Sequence, residues 1–206
     1  KAHLIEWVLL FKKNTQPYFK YCKMINKKIS SIIQSRRSIY PNEFNGKIIN
    51  EDIIIQLLEN ANYAPTHKMT QPWRFKVFSA DSKKKLLDEI MKNEELSKIK
   101  KNKLENNFNK SSHIICICMK KNIDLLPEWE EIAATAMAVQ NLWLSCVDTN
   151  IGGYWSTPKF IDKLETFLNI DTDEVCLGLF YLGVHDSTST KTSGRSNISE
   201  KIQWFR

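Results

Sequence analysis

The sequence predicts a single globular domain in which helices and strands are mixed. Three observations carry this. Apolar residues recur at helical spacing in several long windows. Three shorter runs read as strands, one alternating and two almost continuously apolar. No internal repeat, Pro-rich linker or second hydrophobic block divides the chain, and 206 residues with 42% hydrophobic content and six Trp suffice for one sizeable core.

Taken in order, Ile25, Ile29, Ile32 and Ile33 place a helix over residues 25–35 that delivers Arg36-Arg37-Ser38 at its end. Asn50-Glu51-Asp52 reads as an N-cap with acid in the first turn, opening a helix with Ile53, Ile54, Leu57, Leu58 and Ala61 on one face that closes at Pro65. Arg74 to Ser79 alternates as a strand. The Lys/Glu-rich stretch from Asp81 to Asn107, with Leu86, Leu87, Ile90, Met91 and Leu96, reads as one or two surface helices with a solvated lysine face. His113 to Met119 is a buried strand that sets Cys116 and Cys118 on one face. Pro127 to Asp148 is a long helix whose small residues, from Ala133 to Ala138, permit close contact with another helix, either across a homodimer or inside one subunit. Gly152-Gly153 reads as a break, Thr157-Pro158 as N-cap and N1 of a further helix, and Glu174 to Val184 as a buried strand. The polar stretch from Asp186 to Asn197 is a loop or arm leading to residues 198–206.

The net charge of +7 is uneven: residues 1–23 hold five Lys against one Glu, leaving +3 for the rest. This argues against a basic nucleic-acid groove. Five Cys, at 22, 116, 118, 146 and 176, lack zinc-site spacing and read as reduced thiols of a cytoplasm-like compartment. The apolar stretch Leu4 to Phe11 is interrupted by Glu6 and far shorter than the roughly 20 residues that span a bilayer. It is also a poor signal peptide, with Lys12-Lys13 behind it. Residues 1–23 therefore read as an N-terminal extension before a domain of residues 24–206, unless Met24 is an ordinary core Met.

Three phrases stand out as candidates for chemistry. Ser35-Arg36-Arg37-Ser38 offers two guanidinium forks and a hydroxyl, either a phosphate grip or a solvated terminus. The loop Ala64-Pro65-Thr66-His67-Lys68-Met69-Thr70-Gln71-Pro72-Trp73-Arg74-Phe75 holds polar donors between two rigid Pro, either to meet a planar ligand or as a stiff turn with Trp73 in the core. In Ile151-Gly152-Gly153-Tyr154-Trp155-Ser156 the paired Gly either let backbone N–H groups approach a ligand or stop a helix.

In this order and spacing the phrases resemble the short branch of the nitroreductase-like FMN family. The resemblance continues through Pro127-Glu128-Trp129-Glu130 and Leu177 to Gly183, covering about residues 25–205. It implies an α+β fold, a central mainly antiparallel sheet flanked by helices, and a homodimer with FMN at the subunit interface. It also implies an NAD(P)H-dependent oxidoreductase, with NADPH or NADH as donor and a nitroaromatic, quinone or similar small acceptor. Nucleic acid, membrane and metal have no part in it. Carried over by position, Arg36, Arg37 and Ser38 match phosphate and ribityl contacts, while Tyr63 and His67 match loop positions near the flavin. Trp155, Ser156 and Thr157 match the segment along the isoalloxazine, and Ser145 to Asn150 the nicotinamide side. Arg195, or else Lys191, matches a basic residue that reaches the phosphate from the C-terminal arm.

Two departures bear on how the flavin is tuned. Met69 stands where many relatives have Asn, and Tyr40 where they have a cation; Lys68 either substitutes for that cation or faces solvent. The rival readings are a specialised flavin reaction on the same fold, such as dehalogenation or flavin breakdown, and a basic binding module without redox chemistry.

Overall fold

The computed structural model describes residues 25–93, 95–186 and 194–206. The expectations for residues 1–23, Met24 and Lys191 lie outside them. The chain divides into two units, Lys1–Gln34 and Ser35–Arg206. In the first, helix α1 (Lys27–Ser35) stands where its periodicity placed it, and the side chain of Asn26 accepts from the N–H groups of Lys28 (3.0 Å) and Ile29 (3.3 Å).

The second unit holds the sheet. Helix α2 (Glu51–Asn62) is capped by Asn50, which accepts from Asp52 N–H at 3.0 Å, and it ends at Tyr63 before Pro65. Strand β1 (Trp73–Phe78) follows, then the Lys-rich stretch as two helices, α3 (Ala80–Met91) and α4 (Lys98–Lys110). Strand β2 (His113–Lys120) leads to the long helix α5 (Glu128–Leu144) and on to β3 (Ile151–Ser156). A 3-10 turn (Ile161–Leu164) runs into the short helix α6 (Glu165–Leu168) before β4 (Glu174–Val184).

The four strands form one antiparallel sheet in the order β1-β2-β4-β3, which leaves β1 and β3 at the edges. Strand alternation sorts the core into two layers. On one face Ile115, Ile117, Phe180 and Leu182 meet Ile54, Leu57 and Ala61 of α2 and Ala134, Ala138, Val139 and Leu142 of α5. On the other, Ile114, Cys116, Cys118, Leu179 and Tyr181 meet Leu86, Leu87 and Ile90 of α3, Phe108 of α4, and Phe160 and Leu164. This is the expected α+β arrangement, with the two Cys of β2 on one face.

Two expectations change. Gly152-Gly153 does not break the chain; both lie inside β3. A Cβ on Gly152 would stand 2.6 Å from the Cβ of Ile39, and one on Gly153 would stand 2.5 Å from the ring of Phe180. The glycines let neighbours lie against the strand, so packing overrides their breaker character. The helix expected at Thr157-Pro158 begins only at Ile161, because the carbonyl of Pro158 accepts from Ile161 N–H at 3.1 Å and closes a turn first.

The small residues of α5 also act differently from the expected dimer contact. Ala134 and Ala138 are buried within the subunit, where α5 packs on α2, while Trp129, Ile132 and Met137 of α5 stay exposed.

Candidate functional site

Residues 36–40 leave α1 in extended conformation and run beside β3, where Ile39 N–H donates to the carbonyl of Gly153 at 3.1 Å. This places Arg36 and Arg37 in the wall of a cavity of about 490 Å³, together with Ser35, Trp143, Gly153 and His185. The guanidinium carbon of Arg36 lies 4.6 Å from the centroid of the Trp143 ring, a cation–π contact. One nitrogen of that group, Nη1, is buried without a hydrogen-bond partner, and so is the indole nitrogen of Trp143. Burial lowers the Arg36 pKa from its ordinary value, and the nearby charges of Arg195 and Arg37 lower it further.

Arg36 and Arg37 thus share the cavity wall, while Arg195 is exposed and bears on Arg36 through its charge. Arg37 donates through Nη1 to the carbonyl of Arg36 at 2.9 Å, which holds the pair together. Ser38 is half-buried beside them.

A second cavity of about 380 Å³ lies on the opposite side of β3. Strand alternation explains the division: Gly153 faces the first cavity, whereas Tyr154 and Ser156 face the second with Tyr181, Pro158 and Phe160. Its outer wall is α4, through Lys100, Lys103, Leu104 and Asn107. Tyr40, the position where relatives carry a cation, packs on Tyr154 with ring centroids 4.8 Å apart, and Tyr154 lies 6.3 Å from Tyr181. Burial raises the Tyr181 pKa, so its phenol stays protonated.

The structure does not set Trp155, Ser156 and Thr157 on one surface. Trp155 lies on the α2/α5 face over Gly178, its buried indole nitrogen without a partner; Ser156 faces the second cavity, and Thr157 is exposed. Of the segment proposed for the nicotinamide side, Cys146, Val147, Asp148 and Thr149 line the first cavity. Sequence reasoning missed Lys100, Lys103, Leu104, Asn107 and Tyr181, because a lysine-rich helix reads as solvated and a tyrosine in an apolar strand as core.

The loop after α2 lines neither cavity of its own chain. Tyr63 is 85% exposed. His67 is exposed as well, and its Nδ1 lies 2.6 Å from Oε2 of Glu130 on α5. Lys68 donates to the carbonyl of Leu125 at 3.4 Å, not into a cavity. Lys68, Met69 and Gln71 have φ of 49°, 55° and 45°. Left-handed backbone at three non-glycine residues costs on the order of 1 kcal/mol each, so the loop must be held from outside.

The model of the Nitroreductase family matches residues 33–184. The chain belongs to that family. Among curated proteins, YfhC of Bacillus subtilis (strain 168), provisionally named as an NAD(P)H nitroreductase, is 30% identical over 139 residues, 65% of this chain and 71% of its own length. A nitroreductase-like family protein from Bacillus cereus has the same fold with a TM-score of 0.79 at 24% identity, covering 89% of this chain and 99% of that one. NfnB of Mycobacterium smegmatis, an FMN-dependent nitroreductase solved with NADPH, superimposes with a TM-score of 0.69 at 15% identity, over 87% and 99% of the two chains. A provisionally named nitroreductase from Desulfovibrio desulfuricans, solved with FMN, gives 0.68 at 20% identity, over 86% and 96%. Among the described residues no helix is long and apolar enough to cross a membrane.

Proposed function

We propose that the protein is an FMN-dependent NAD(P)H oxidoreductase acting on a nitroaromatic, quinone or similar small acceptor. The observation that carries this is the buried, unpartnered guanidinium nitrogen of Arg36, in a cavity wall it shares with Arg37, in a family whose solved members include FMN and NADPH complexes. The donor set fits a phosphate: planar forks bind it bidentately, and Ser38 adds a hydroxyl.

Bound FMN supplies the redox chemistry, accepting hydride from the nicotinamide and passing electrons to the acceptor. The protein's residues bind, orient and exclude water. Arg36 and Arg37 would neutralise the phosphate, and Gly153 with the Cys146 to Thr149 segment would line the space beside it. No step calls for a side-chain nucleophile or general base.

The site would be completed by a second copy. Tyr63 and His67, matched by position to flavin contacts, line neither cavity within one chain. Exposed Ile53 and Ile55 of α2, with Trp129, Ile132 and Met137 of α5, offer apolar surface for an obligate interface of well over about 2,000 Å². The buried free thiols of Cys116, Cys118, Cys146 and Cys176 are in keeping with a reducing, cytoplasm-like compartment.

One experiment tests both parts. The purified protein should be yellow, its flavin bleached anaerobically by NADPH or NADH, and sedimentation across a dilution series should show a dimer whose dissociation releases FMN. A colourless protein that takes up no FMN defeats the flavin reading. Monomers retaining FMN stoichiometrically defeat the shared site.

A further inference from the structure

Glu131, in the first turns of α5, is 1% exposed, and among the described residues no Lys, Arg or His bonds to it. Its carboxylate instead takes two neutral donors from different loops: Oε2 accepts from the hydroxyl of Thr70 at 2.9 Å, and Oε1 from the side-chain amide of Asn122 at 2.8 Å. A carboxylate buried on such terms is costly unless its geometry serves a purpose. Here it terminates a directed chain. An ionised carboxylate only accepts, so Thr70 must donate to it. The hydroxyl of Thr66, 3.0 Å from that of Thr70, must then donate to Thr70. Thr66 is left to accept from the backbone N–H of Gln71 at 3.1 Å. Each link polarises the next, and the chain ends on a left-handed residue.

We propose that Glu131 is the positioning residue of the 66–71 loop: through Thr70 and Thr66 it pins the amide of Gln71 and, with it, the left-handed run that holds His67 and Lys68 outward. The adjacent Glu130 holds His67 from the same helix turn, but on the exposed side, where water competes. The buried member therefore sets the loop and the exposed one follows it. Any consequence for catalysis rests on the reading that this loop meets the flavin of a second copy.

The test compares Glu131→Leu, Thr70→Val and Glu131→Gln in the FMN-loaded protein, following tryptic cleavage after Lys68 alongside thermal midpoint, FMN dissociation and turnover. Leu and Val break the chain. Gln keeps it, its oxygen accepting from Asn122 and its amide donating to Thr70, which then donates to Thr66. Cleavage after Lys68 should rise about tenfold or more in Glu131→Leu and Thr70→Val and stay within about threefold of wild type in Glu131→Gln. FMN dissociation should rise and kcat fall in the same two variants, again with rescue by Gln. Unchanged cleavage in Leu and Val, or Gln as labile as Leu, overturns the proposal. Loosening without any change in FMN dissociation or kcat upholds the clamp and removes the loop from the flavin site.

Discussion

Replacing Arg36 by Met removes the buried guanidinium while keeping an apolar stem over Trp143. Two effects of opposite sign follow. For the apoprotein, a cation–π contact of about 0.5–1 kcal/mol is lost. Against that, a partly desolvated charge beside Arg37 and Arg195 and an unsatisfied Nη1 are relieved. The apoprotein should melt at or slightly above the wild-type temperature. For the FMN complex, a charge-assisted contact of about 1.5–3 kcal/mol disappears, which weakens binding about 10- to 100-fold. The difference shows as a thermal shift. At FMN one hundred times the wild-type Kd, ligand linkage adds about 2.7 kcal/mol, or about 6–10 °C. A thirtyfold weaker variant at the same FMN gains only about 0.9 kcal/mol, or about 2–3 °C. Riboflavin, which lacks the phosphate, should bind both proteins within about threefold. Scanning calorimetry with and without each ligand is the assay. Equal losses for FMN and riboflavin, or an apoprotein several degrees less stable with FMN affinity intact, would refute the idea that Arg36 serves an anion.

Two further predictions concern stability. Burial lowers the pKa of His113, Lys83 adds to this, and Glu51 opposes it. The unfolded chain then takes up a proton more readily than the native one, so stability is complete above about pH 6.5 and falls as the pH drops through the native pKa. Urea midpoints should decline between about pH 7 and 5, and His113→Gln should flatten the decline; an unchanged slope refutes this. Gly178 has φ of +143°, and a Cβ there would stand 2.5 Å from the carbonyl oxygen of Ser156 and 2.6 Å from the indole nitrogen of Trp155. Gly178→Ala should cost about 2–5 kcal/mol and lower Tm by about 5–15 °C, and a loss under about 1 kcal/mol would show that the seat of Trp155 adapts.

Elements whose residues serve one purpose were legible in the sequence. The Asn50 cap, the apolar runs of β2 and β4 and the period of α5 all state their structure locally. Legibility failed where a residue answers to a distant neighbour. Gly152 and Gly153 read as breakers because Ile39 and Phe180, which they accommodate, are far off along the chain. Ala134 and Ala138 invited a partner subunit, but the close helix they permit is α2 of the same chain. The Arg36-Arg37 pair stood out in the sequence, yet the wall it shares with Trp143 did not. Glu131 resembled any acid in a helix's first turn; only the fold brings Thr70 and Asn122 to it.

Strand β3 is an edge of the sheet, and an uncovered edge invites pairing with another chain. Here residues 36–40 lie along it, fastened through Ile39 to Gly153. The same few residues therefore carry the arginines and shield the sheet. On the proposal that Arg36 and Arg37 hold the FMN phosphate, cofactor retention and protection of the sheet edge rest on the same short segment, so protein short of flavin is expected to aggregate more readily.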